Sequence, residues 1–180
     1  MRKSFSIAEV IVVISIVGLI TAVSIYAILN LRRQQDVKSV AQNIANQILL
    51  ARSTAMAPPD NIISPVKVKV GFFSDRTMRT AIQYNGTNVT PDSTVLTLPT
   101  NLNWSSLNSN MTYSTTPSPP HYWFSFVATS DKLGQTIDNG SSGGDPTLCV
   151  QSTDTPIKYF IIEVNKLTGK VEVNGVTSCP

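Results

Sequence analysis

Histidine is nearly missing from this 180-residue chain: His121 is the only one. A single imidazole supports no Cys-His or Ser-His-Asp spacing and no zinc pattern. His121 follows Pro119-Pro120, so a loop residue beside Tyr122 and Trp123 is preferred over a catalytic base. There is no P-loop and no dinucleotide fingerprint. Cysteine is scarce too, with only Cys149 and Cys179, and no Cys-x-x-Cys pair. Charged residues make up 14% of the chain and form no block of like sign, which removes the electrostatic footprint of a nucleic-acid binder. No enzyme activity and no cofactor is expected.

The most informative absence is local. From Val10 to Leu29 there is no charge and no proline. Twenty such residues in a helix reach about 30 Å, the thickness of a bilayer's hydrocarbon core, so this stretch reads as a membrane span. Glu9 stands at its head, and Met1-Arg2-Lys3-Ser4 precedes it. An ionisable residue at the edge of a span is costly and calls for a partner. No basic residue lies one turn beyond Glu9. An ordinary secretory signal is the competing reading, but an acid at the start and so long a run fit it poorly.

Arg2-Lys3-Ser4 followed by Phe5-Ser6-Ile7-Ala8-Glu9 and a long apolar helix resembles the class III signal of type IV prepilins and of type II secretion pseudopilins. The resemblance covers residues 1–30, is weaker to about Ala57, and is close to nil beyond. It implies cleavage between Ser4 and Phe5 by a membrane-embedded prepilin peptidase, which also methylates the new amino terminus of Phe5. It implies that Glu9 meets the amine of a neighbouring subunit. The implied partners are other pilin or pseudopilin subunits met through the N-terminal helix, the peptidase/methyltransferase, and an inner-membrane assembly platform. Ser4 stands where the family usually has Gly, and Tyr26 where it usually has Pro. Gly18 matches a small residue usual in the family's span, and with Ala22 it forms a Gly-x-x-x-Ala face that lets another helix approach closely.

Cleavage after Ser4 would remove Arg2 and Lys3, lowering the formal net charge of +3 by two. Basic residues flank the span on both sides, with Arg32, Arg33 and Lys38 beyond it, so their count does not orient it. The paired cysteines and the Ser/Thr/Asn-rich remainder suit an exterior compartment. The expected location is therefore a single-pass inner-membrane precursor with its C-terminal domain outside the cytoplasm, and then a filament in the periplasm or on the cell surface. An even cysteine count beyond the span favours a Cys149–Cys179 disulfide over a metal site, the alternative being two buried thiols. A C-terminal disulfide loop is also common in the family.

Past the span, Val37, Ala41, Ile44, Ile48, Ala51 and Ala55 recur at steps of four and three, while Arg33, Asp36, Lys38, Gln42, Asn46 and Arg52 take other faces. One helix is expected from about Phe5 to Ala57, ending before Pro58-Pro59. Its last turns, Leu49-Leu50-Ala51-Arg52-Ser53, are similar to the Leu-Ala-Arg-Ser segment of H-type minor pseudopilins and related minor pilins.

Strand signals follow at 66–70, closed by Gly71-Phe72-Phe73, and at 79–84, 93–98, 122–129 and 148–151. Segments 157–165 and 170–173, around Lys166-Leu167-Thr168-Gly169, read as a terminal hairpin. About seven short strands are predicted, with 101–120 and 138–146 as loops. The fold class is α+β, pilin-like: one long N-terminal helix on an antiparallel β-sheet or β-sandwich. The boundaries are a leader at 1–4, the helix at 5–57 with its span at about 10–29, and a β-rich domain at 58–180. Some pseudopilins bind calcium in a comparable region, but Asp131, Asp138 and Asp145 do not match a 12-residue calcium loop and read as turn formers. Trp104, Trp123 and the tyrosines are preferred as core over an aromatic binding surface.

The functional expectation is a structural subunit of a type IV pilus or type II secretion pseudopilus. The alternative is an uncleaved, signal-anchored ectodomain that binds a surface ligand or adhesion target through its Ser/Thr/Asn-rich loops.

Overall fold

The structure, a computed structural model, describes residues 7–57, 66–84, 87–88, 93–107, 111–115, 120–127, 136–138 and 144–179. The chain divides into two compact units, Met1–Asp36 and Val37–Pro180. Helix α1, Ile7–Met56, supplies the described part of the first and the opening element of the second.

In the second unit the helix buries Val37, Ala41, Ile44, Ala45, Ile48, Ala51 and Ala55. These are the residues that a 3.6-residue period lines up on one face, with Ala45 added beside Ala41. Alanines alternate on this face with the larger Ile44 and Ile48, and all seven residues share one core cluster with strand residues of both sheets. Each fully buried isoleucine contributes about 1.5–3 kcal/mol of transfer free energy. The helix closes with the Ala57 amide donating to the Ser53 carbonyl at 2.9 Å.

Eleven strands follow among the described residues: β1 (Lys67–Phe73), β2 (Thr77–Tyr84), β3 (Thr87–Asn88), β4 (Ser93–Thr97), β5 (Leu102–Leu107), β6 (Thr112–Ser114), β7 (His121–Val127), β8 (Thr136–Asp138), β9 (Thr147–Ser152), β10 (Tyr159–Val164) and β11 (Val171–Val176). They form two sheets, and every pairing is antiparallel. The seven-stranded sheet runs β3-β2-β1-β7-β6, with β4 also on β2 and β8 also on β7. The four-stranded sheet runs β11-β10-β9-β5. This is the α+β architecture expected, one long N-terminal helix packed against antiparallel sheet.

Alternation decides which side chains meet the helix. In β1, Val68, Val70 and Phe72 join its core, opposite Phe126, Phe124 and Tyr122 of β7. In the second sheet Leu148, Val150, Phe160 and Ile162 do the same, with Leu148 opposite Ile162 and Val150 opposite Phe160.

The other face of β1 explains why that strand runs past Gly71, where the sequence suggested it would close. A Cβ at Gly71 would lie 2.9 Å from Cε2 of Phe73, so the missing side chain makes room for the Phe73 ring along its own strand. That ring stacks on His121 at 4.4 Å between centroids, and the Arg79 guanidinium lies over it at 4.2 Å. His121 is accordingly a buried residue at the start of β7, not a loop residue.

The expected loop at 101–120 is also corrected, since it contains β5 and β6. Leu102 is buried and Trp104 packs against the core, so two apolar residues at alternate positions suffice among Ser and Asn. The terminal hairpin forms as its turn chemistry suggests. The Asn165 side-chain carbonyl accepts from the Leu167 and Thr168 amides, and Gly169 takes a φ of 64°.

Candidate functional site

Glu9 lies in the first turn of α1 and is exposed. An acid there is favoured by the partial positive charge of the helix N-terminus. Ser4 and Phe5, the residues of the expected cleavage and methylation, lie outside the described residues, as does the leader.

Beyond Glu9 the apolar residues are open to their surroundings. Ile7 is 80% exposed and Leu19 71% exposed, and within residues 7–36 only Asn30 is even half-buried among those whose burial is described. Among the described residues one helix is long and apolar enough to cross a membrane or to serve as a signal anchor. Its hydroxyls suit such a setting. Ser15 donates to the Ile11 carbonyl at 2.8 Å, Thr21 to Val17 at 2.7 Å and Ser24 to Ile20 at 2.8 Å. Each polar group is satisfied within the helix, which lowers the cost of leaving water.

Gly18 presents an open surface, with nothing within 4 Å of where its Cβ would be. At 100° per residue Glu9 and Gly18, nine positions apart, fall on opposite faces of α1. The exposed apolar character stops where Arg32, Arg33, Asp36 and Lys38 enter the sequence and the buried stripe begins at Val37.

At the other end of the chain Cys149 and Cys179 are joined in a disulfide, with their Cα atoms 5.9 Å apart. Cys149 sits in β9, on the face opposite Leu148 and Val150, and is fully buried. Ile161 of β10 is its register partner, and Asn174 of β11 is the next residue across. The segment after β11 thus passes back over β10 to reach β9.

The acidic positions separate. Asp131 lies outside the described residues and Asp138 ends β8. Asp145 accepts from the Lys166 amide at 2.8 Å and so braces the terminal hairpin. Among the described residues no group of three or more His, Cys, Asp or Glu side chains is placed to hold a metal. The aromatics divide as well: Trp123 lies under the Lys69 ammonium at 4.6 Å, while Trp104 meets the edge of Phe72 at 5.4 Å.

Sequence reading attached no role to Arg76. Its φ of 67° places it in the left-handed region, where the usual signal is Gly or Asn. Nothing in the pattern Ser74-Asp75-Arg76-Thr77 announces it.

A long N-terminal helix packed on antiparallel sheet is consistent with a type IV pilin-like fold. No family model, no curated protein and no solved structure matches the chain.

Proposed function

We propose that this chain is a filament subunit of the type IV pilin or secretion-pseudopilin kind. It is inserted as a membrane precursor, cut between Ser4 and Phe5, methylated on Phe5 and assembled through the first half of α1. One observation carries the reading: a single helix whose uncharged stretch from Val10 to Leu29 exposes its large apolar side chains continues into a half buried against sheet. A monomer in water has no use for such a surface, which suits lipid first and neighbouring helices afterwards.

Glu9 and Gly18 on opposite faces support a helix surrounded by several others over a simple pair. In that setting Glu9 accepts the charge of a neighbour's Phe5 amine. The pair fixes register more than it adds stability, because desolvating two charges offsets most of their attraction, whereas removing one partner strands the other. The same chemistry calls for the peptidase/methyltransferase and an inner-membrane platform as partners, and for no catalytic role of the chain itself.

Mass spectrometry of the amino-terminal peptide from assembled material tests the reading. N-methylated Phe5 is expected. Met1 at the terminus would replace it with the signal-anchored ectodomain, a reading favoured by Ser4 in place of the usual Gly. The variant Glu9→Ala is expected to insert and be cut but to enter filaments poorly, and normal incorporation would remove Glu9 from its role.

A further inference from the structure

A cleft of about 540 Å³ opens in the second unit beside the tip of the β1–β2 hairpin, lined from both sheets. Three local features converge on it.

The first feature is a fixed aromatic plate. Trp104 spends its only polar group on the Phe73 carbonyl, to which Nε1 donates at 3.0 Å, and it is wedged against Phe72. Its position is set and what remains of it is carbon. On β6 and β7, Tyr113 and Tyr122 are register partners with ring centroids 4.9 Å apart, and Tyr113 is 55% exposed. An exposed tyrosine beside a pinned tryptophan offers apolar surface with a hydroxyl at its margin.

The second feature is a pair of amides. Asn103 of β5 and Gln151 of β9 are register partners and both line the cleft. Each amide side chain both donates and accepts. The strand is irregular immediately after Asn103, where the β5–β9 register shifts between Trp104 and Ser106 and leaves Ser105, also a lining residue, as the extra residue. Bulges of this kind re-aim side chains at sheet edges and beside binding sites.

The third feature is Arg76. An L-residue held at φ 67° is disfavoured where glycine would be free. Arg76 lines the cleft, and its Nη1 donates to the Thr100 carbonyl at 3.1 Å, using one of the five N–H groups that a guanidinium carries. Among the described residues that line the cleft there is no Asp or Glu, so a cationic ligand finds no counter-charge there.

We propose that this cleft binds a saccharide. A sugar ring has an apolar C–H face and a rim of hydroxyls that donate and accept at once. Carbon plates at Trp104 and Tyr113, amides at Asn103 and Gln151, and a donor-only group at Arg76 match both parts. A flat apolar ligand would strand the amides and the guanidinium, and a cation is excluded by charge. The site is built wholly from the second unit and holds whether or not the helix assembles.

The test uses the full-length protein in detergent micelles on an array of neutral hexose oligosaccharides and uronic-acid oligosaccharides. Capture on either arm is expected, with affinity about tenfold weaker in Tyr113→Ala and in Arg76→Gly. Preference for the uronic arm identifies a carboxylate on Arg76, and preference for the neutral arm identifies hydroxyls. Arg76→Gly relaxes the left-handed backbone, so its melting temperature stays close to the parent's and a loss of capture is not a loss of fold. Absence of capture on both arms, or capture unchanged in both variants, overturns the proposal.

Discussion

The indole Nε1 of Trp104 donates to the main-chain carbonyl of Phe73 at 3.0 Å, a bond between residues 31 apart in sequence that ties β5 of one sheet to β1 of the other. The Phe73 carbonyl also accepts from the Arg76 amide, at 3.0 Å, and therefore keeps one partner if the indole is removed. Trp104→Phe retains an aromatic ring against Phe72 but deletes the donor. It is expected to lower unfolding free energy by about 0.5–1.5 kcal/mol, the net value of a typical hydrogen bond. Urea unfolding of the two proteins measures the difference, and an unchanged midpoint would mean that the inter-sheet bond contributes nothing.

Gly71 is the second point where one atom decides local structure. A Cβ there meets the far edge of the Phe73 ring at 2.9 Å, and the ring is held between His121 on one side and Arg79 on the other. Gly71→Ala must push that ring off its stack. Overpacking of a buried site costs about 1–3 kcal/mol, and that loss is expected in denaturant unfolding. Phe73→Leu in the same background removes the clash and is expected to restore part of the loss relative to Phe73→Leu alone. Strictly additive effects would show that the two positions do not meet.

What could be read from sequence follows the strength of local periodicity. The helix stripe from Val37 to Ala55 and the alternation of Val66-Lys67-Val68-Lys69-Val70 are repeated patterns, so helix and first strand were legible. Strand β5 was hidden because only Leu102 and Trp104 alternate before the bulge, with Asn103, Ser105 and Ser106 breaking the apolar pattern ahead of Leu107. His121 misled because the prolines before it signal a loop, while the stack on Phe73 depends on a residue 48 positions earlier meeting it across the sheet. The residues proposed for assembly rest on a pattern at the head of an apolar run. The cleft was not legible, since Arg76, Asn103, Tyr113 and Gln151 come from four separate strands and turns.

The Cys149–Cys179 bridge closes a segment with a sequence separation of 30 and holds the tail across β10. In the loop-entropy model a closure of that size stabilises by about 3–4 kcal/mol. Removing both sulfurs with the double variant Cys149→Ala, Cys179→Ala is expected to lower stability by about that amount, plus whatever the small cavity at buried Cys149 costs separately. The single comparison that isolates the closure is the parent protein unfolded with and without reductant. Equal midpoints in the two conditions would show that the strands β9, β10 and β11 hold the tail unaided.

Asp75 provides a pH dependence whose sign can be worked out. Burial, the largest single influence on its carboxyl, pushes the pKa up, but the Thr77 hydroxyl and amide and the Arg79 guanidinium together outweigh it and hold the pKa below the ordinary 3.8. The geometry agrees: the Thr77 amide donates to Oδ1 at 3.0 Å, and Arg79 Nη2 donates to Oδ2 at 2.7 Å. A folded-state pKa below the unfolded one means that the charged form stabilises the fold. That contribution is fully present above the unfolded value and disappears as the pH falls through the lower folded-state value. The carboxyl is 37% exposed, so the contribution is small and weakens with salt. Asp75→Asn is expected to melt slightly below the parent at pH 7, with the gap closing as the pH falls beneath 3.8. A gap that stays constant from pH 7 to strongly acid solution would mean that the carboxylate's charge plays no part, and that only the shape of the turn before β2 matters.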